Sequence, residues 1–266
     1  MLREITIGQY YPVDSVIHRL DPRTKLAGTL LFIVALFCAD NPAGYIIITL
    51  FLAAVVKLSR VPFSFIVRGL RAVLFLLLIS VCFNLFLTGG TVIWQFHFLK
   101  ITEEGLRLSV FMALRLIYLV IGSSIMTLTT TPNQLTDGME QGLRGLNRFH
   151  VPVHEIAMMM SIALRFIPIL VEETDKIMKA QMARGADFES GGFMQRIKNM
   201  IPLLVPLFVA AFRRATDLAM AMEARCYRGG AGRTKMKPLH YSGRDRIAYV
   251  ILFAFVAAVI AARILL

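Results

Sequence analysis

Five apolar runs, each ended by a polar break or by basic residues, limit this chain to a membrane-embedded fold. Leu26 to Ala39 is uncharged, Asp40-Asn41-Pro42 breaks it, and Ala43 to Val56 is uncharged again. Ala72 to Thr88 follows and stops at Gly89-Gly90, Glu103-Glu104 opens a run to about Thr130, and Ile247 to Ala262 is the last. A bilayer core takes about 20 residues of apolar helix. The first two runs are short of that alone but fit a tight hairpin once Thr24-Lys25 and Lys57-Leu58 are counted as interfacial flanks. Composition agrees: 57% of the 266 residues are hydrophobic and 17% charged, against about 25% charged in a soluble domain.

The formal net charge of +12 would suit a nucleic-acid partner in a soluble protein. Here the cations flank the runs or follow Thr131, as the positive-inside rule requires, and no aromatic-interleaved basic stripe occurs. Lys57, Arg60, Arg68 and Arg71 mark an inside loop; Asp40 and Asn41 mark the outside. The segment from Thr91 to Ile101, with Trp94 and His97, alternates and reads as an outer β-like hairpin or interfacial belt. Arg107 can snorkel, whereas Arg115 lies deeper and is expected to face protein. Residues 1–21 lack the pattern of a signal peptide. The three cysteines make no disulfide framework: Cys38 and Cys82 read as packing residues and Cys226 as a reduced thiol.

Helix starts are legible locally. Asp21 caps and Pro22 suits a first helical position, and Thr131-Pro132 repeats the signal for an amphipathic helix expected to reach Arg148. Beyond it, two segments begin apolar, at Phe166-Ile-Pro-Ile-Leu-Val171 and Ile201-Pro-Leu-Leu-Val-Pro206, and end alike, in Ala183-Arg184-Gly185 and Ala224-Arg225-Cys226. They read as a long hairpin joined near Ser190-Gly191-Gly192. Their apolar halves, Ile156 to Val171 and Ile201 to Phe212, are interrupted by Arg165, Pro168, Pro202 and Pro206, and are expected in or just below the interface.

Most catalytic readings fail on spacing. Glu103-Glu104 and Glu172-Glu173 are helix neighbours that do not face each other. His150, His154 and Glu155 are not a His-Glu-x-x-His motif, and Pro152 lies between the histidines. No phosphate-binding Gly-x-x-x-x-Gly-Lys-Ser/Thr loop occurs, so the chain is not expected to bind ATP. The Ala-Arg ends remain. Arg184 and Arg225 read either as ordinary cations near helix C-termini or as guanidiniums standing clear among small residues, able to grip a carboxylate in a partner's groove.

With Asp14-Ser-x-x-His-Arg-Leu-Asp-Pro-Arg-x-Lys25 at one end and both Ala-Arg tips at the other, the chain closely resembles the transmembrane T components (EcfT) of energy-coupling factor transporters. The resemblance runs nearly full length; Cys226 stands where Gly is common. It implies an all-α polytopic membrane protein with about five spans and three cytoplasmic or interfacial coupling helices. The expected domains are 1–130 with four spans, 131–236 with the coupling helices, and 237–266 with the last span. It implies two ABC ATPase subunits docked on Ala183, Arg184, Gly185, Ala224, Arg225 and Cys226. It also implies a membrane-embedded S component that binds the vitamin, held on the spans and the apolar, Met-rich faces of the hairpin (Met158, Met159, Met160, Met178, Met182, Met220, Met222). His18, Arg19, Asp21, Pro22, Arg23 and Lys25 carry the family signature. No cofactor is expected on this chain, ATP and Mg belonging to the ATPases. The expected setting is a bacterial plasma membrane, with the N-terminus and coupling domain cytoplasmic and the C-terminus outside. The rivals are a dedicated cobalt or nickel T component (CbiQ-like), an intramembrane enzyme built on His150, His154 and Glu155, and a permease with its own path.

Overall fold

A computed structural model describes residues 10–96, 99–188, 192–230, 236 and 238–265. His97, Ser190, Gly191, Lys235 and Lys237 lie outside the described residues. Helices dominate: α1 (Pro22–Cys38), α2 (Pro42–Ser59), α3 (Phe63–Leu87), α4 (Glu103–Thr129), α5 (Pro132–Gly142), α6 (Val153–Ala183), α7 (Phe193–Ala224) and α8 (Gly243–Leu265). An antiparallel pair, β1 (Val92–Phe96) and β2 (Leu99–Thr102), joins α3 to α4. The alternating segment after Gly90 is therefore a β-hairpin. Glu104 holds its base, accepting from the Thr91 backbone N–H at 2.8 Å. Thr102 caps α4 through the Gly105 N–H at 3.1 Å.

The contacts divide the chain into two units, one of residues 142–238 and one holding 8–141 with 239–266. In the second, α1 packs on α8 and α4, α2 on α8 and α4, and α3 along α4. Its core includes Phe32, Leu36, Ile48, Leu52, Ile125, Phe255 and Val259, with Phe51 and Phe255 stacked at 4.1 Å. Leu74, Phe75, Leu78, Val250 and Phe253 point outward, as residues of helices bathed in lipid do. Arg115 faces protein: it donates to the Ala39 carbonyl at 3.2 Å and pairs with Asp40 at 3.7 Å, and Arg263 reaches the same carboxylate at 3.1 Å. The α1–α2 turn and the C-terminal end of α8 thus share one end of the bundle.

Several boundaries differ from the sequence reading. Among the described residues α2, α4, α6 and α8 are able by length and composition to cross a membrane, and α3, bent by 60°, makes a fifth if its two halves form one broken span. With 17 residues, α1 rises about 25 Å, short of a ~30 Å hydrocarbon core without its flanks. Helix α3 starts at Phe63, so Arg68 and Arg71 lie in helix, not loop. The helix from Thr131 stops at Gly142 and a 3-10 turn (Arg144–Phe149) follows, ending with His150 at φ 59°. Gly142 and Gly145 weaken helical continuity there. Helices α6 and α7 continue past Pro168, Pro202 and Pro206 without a break. Apolar stretches that look short in sequence therefore belong to elements of 31 and 32 residues.

Candidate functional site

Within the 142–238 unit, α6 and α7 form an antiparallel pair. Arg214 on α7 reaches Glu173 on α6 at 2.9 Å, and Gln181 on α6 donates to the Pro202 carbonyl at 3.2 Å. That carbonyl is free because Pro206, four residues on, has no N–H to offer it. The partners run in opposite directions, residue 173 against 214 and residue 181 against 202, as in an antiparallel pair. An element of 32 residues spans about 48 Å, so Arg184 and Arg225 stand at opposite ends of the hairpin, not side by side.

The two tips share one backbone geometry. At the end of α6 Arg184 is the C-cap, the Gly185 N–H bonds the Met182 carbonyl at 3.0 Å, and the Ala186 N–H bonds the Gln181 carbonyl at 3.0 Å. At the end of α7 Arg225 is the C-cap, Cys226 bonds Glu223 at 2.8 Å, and Tyr227 bonds Met222 at 3.0 Å. Both are Schellman motifs, which need a left-handed residue directly after the cap. Gly185 supplies it at φ 90° and Cys226 at φ 56°. Smallness is one reason for Gly at this place; backbone conformation is the stronger one. A Cβ on Gly185 would meet nothing within 4 Å, so only φ restricts the position. Both arginines are exposed, as are Ala183, Gly185, Ala224 and Cys226. Neither guanidinium has a hydrogen-bond or ion-pair partner among the described residues. An apolar stripe on α7, including Ile197, Ile201, Leu204, Phe208 and Phe212, is likewise exposed. Of the seven methionines, Met159, Met160, Met182 and Met220 are exposed and Met158, Met178 and Met222 half-buried.

The N-terminal signature sits elsewhere, at the start of α1 and α8. Asp21 caps α1 through the Arg23 N–H at 2.9 Å and takes two bonds from its guanidinium at 3.0 Å each. Arg23 also bonds the Leu239 carbonyl at 3.3 Å and lies 3.9 Å above the Tyr241 ring. The Asp21 N–H donates to Asp245 at 2.8 Å, and the other Asp245 oxygen accepts from the Ser242 N–H and hydroxyl, both at 2.8 Å. Lys25, buried, donates to the His18 carbonyl at 3.2 Å and to Thr129, at the end of α4, at 2.7 Å. His18 bonds the Tyr11 carbonyl through Nε2 at 3.0 Å, so its Nδ1 accepts from the Ser15 hydroxyl at 2.7 Å. Burial holds the His18 pKa below its ordinary value. Pro22 packs on α5, where a Cβ on Gly138 would lie 2.9 Å from it. Arg19, exposed, donates from Nε and Nη2 to the two oxygens of Asp14. The signature is thus an internal fastening of three helix ends. Asp245 went unrecognised in the sequence, although Ser242-x-x-Asp245 ahead of an apolar run is a capping-box signal.

Among the described residues no three His, Cys, Asp or Glu side chains are placed to hold a metal. Comparison with known proteins shows the family. Residues 14–236 match the family model CbiQ, described as a cobalt transport protein. The energy-coupling factor transporter transmembrane protein EcfT of Clostridium kluyveri is 53% identical over 266 residues, covering 99% of this chain and 98% of its own. The EcfT proteins of Thermosediminibacter oceani and Bacillus subtilis are 56% and 50% identical, over 94% and 97% of both chains. The chain belongs to the CbiQ/EcfT family, the transmembrane components of energy-coupling factor transporters.

Proposed function

We propose that this chain couples ATP hydrolysis on two separate ABC ATPase subunits to a membrane-embedded substrate-binding component, and catalyses nothing itself. The observation that carries the reading is the pair of like-built arginine tips at opposite ends of one antiparallel hairpin. Two equivalent tips tens of ångströms apart suit two equivalent grooves on a pair of subunits better than one site on one partner. Each unpaired guanidinium is free to grip a carboxylate in its groove, and closure of the ATPase pair would press both ends of the hairpin together. The apolar stripe of α7 and the Met-bearing face of α6 are left for the substrate-binding component, Met being suited to surfaces that accept different partners. ATP and Mg would be held by the ATPases. Basic flanks support a reading with the N-terminus and the hairpin on the cytoplasmic side and the C-terminus outside. A cobalt or nickel cargo is the second reading, favoured by the description of the matching family; the partner bound would decide it.

The test is the double variant Arg184→Glu, Arg225→Glu. Losing a desolvated charged hydrogen bond at an interface costs about 2–5 kcal/mol. Each reversal is expected to strip the ATPases on purification and abolish uptake while the chain still inserts. Normal co-purification with full uptake would sink the proposal.

A further inference from the structure

The bundle contains a cavity of about 310 Å³ between α1, α2, α4 and α8, at the end where the signature residues lie. This is the small end of the range for pockets that hold organic molecules, ~300–1,000 Å³. Phe32, Leu52, Ile125 and Leu252 form its buried floor, while Val16, Leu58, Ile247 and Ile251 form an exposed apolar rim. The polar side chains on its wall are committed except Thr24, whose single buried hydroxyl has no hydrogen-bond partner among the described residues. Lys25 is spent on two backbone carbonyls, Thr29 bonds the Lys25 carbonyl at 2.9 Å, and Thr129 bonds the Ile125 carbonyl at 2.8 Å. The interior therefore offers little to a polar ligand, and left empty it forfeits dispersion contacts on every side.

The rim carries one charged group, and its sign selects the ligand. Arg244 lines the opening, is exposed, and has no ion-pair partner among the described residues. The nearby carboxylates are used up, Asp245 by Asp21 and Ser242, and Asp14 by Arg19. Exposed Lys57 and Arg60 flank Leu58 in sequence. An apolar hole opening beside unneutralised cations, on helices that cross a membrane, matches an acyl chain joined to an anionic headgroup. We propose that this cavity holds one acyl chain of an anionic phospholipid, with Arg244 at the phosphate. Cation clusters at a membrane surface prefer anionic lipids on electrostatic grounds alone; the cavity adds a fixed place for the chain.

The experiment reconstitutes the chain with its ATPase partners in mixed phosphatidylglycerol–phosphatidylcholine vesicles, adding a trace of either lipid with a photoactivatable tail. Cross-linked peptides are mapped by mass spectrometry. Phosphatidylglycerol is expected to label Leu58, Ile247 and Ile251 at least fivefold more than phosphatidylcholine. Ala248→Phe, which narrows the opening, should remove that label. Arg244→Glu, an exposed change with no folding role, should equalise the two lipids. Label spread evenly over the outward faces of α3 and α8, or equal labelling by both lipids in the parent, would overturn the proposal. So would loss of the label only when a membrane-embedded substrate-binding protein is added without lipid selectivity beforehand, which would assign the cavity to that protein.

Discussion

Replacing Asp245 tests whether the start of α8 is fastened to the start of α1 as the geometry indicates. Its side chain is fully buried and accepts three bonds at 2.8 Å, from the Asp21 N–H, the Ser242 N–H and the Ser242 hydroxyl. In Asp245→Ala the hydroxyl can turn elsewhere, but two backbone donors cannot. Loss of the α8 cap costs about 1 kcal/mol, and the buried Asp21 N–H left without an acceptor costs about 1–3 kcal/mol. The sum is about 2–4 kcal/mol, or a melting shift of about 5–15 °C at the scaling of chains this long. Asp245→Asn keeps one acceptor oxygen and turns an NH2 towards the other donor, so it should fall between alanine and the parent. Thermal unfolding in detergent, followed by circular dichroism, orders the three. An alanine variant that melts with the parent, or an asparagine variant below alanine, would refute the reasoning.

Other expectations follow from single contacts. Cys226 holds a left-handed φ that costs a side chain about 1–2 kcal/mol, so Cys226→Gly should raise stability by about 0.5–1 kcal/mol in chemical denaturation while leaving ATPase binding intact. Gly185→Ala, at the equivalent place on α6, should lower it by about 1 kcal/mol with no clash to relieve. His18 is held neutral by burial, so its stabilising contribution is present above its ordinary value of 6.5 and is lost as pH falls from there towards its lower folded pKa. Melting temperatures of the parent should drop between pH 7.5 and 5.5, and His18→Gln should flatten that drop. Gly138→Val should push α5 off Pro22 and cost about 1–3 kcal/mol by overpacking, seen as a lower melting temperature.

Much of the architecture was legible because its rules act within a turn or a span. Asp21 and Pro22 announce α1, and the Thr131–Gln134 capping box announces α5, its paired bonds at 3.2 and 3.3 Å. Arg115 faces protein because a lone cation in lipid has nowhere else to go. The arginines were found by the repeat that contains them. Tertiary structure alone decided where each goes: an antiparallel hairpin separates two similar sequence ends, and nothing in either end records which way its partner helix runs. The same holds for Asp21 and Asp245, joined across 224 positions, and for the prolines of α6 and α7. Pro206 looks like a break in sequence, yet Gln181 of the neighbouring helix takes up the carbonyl it leaves free. Local composition sets what a segment is able to form; packing against a distant segment supplies the partners that make one of those forms the structure.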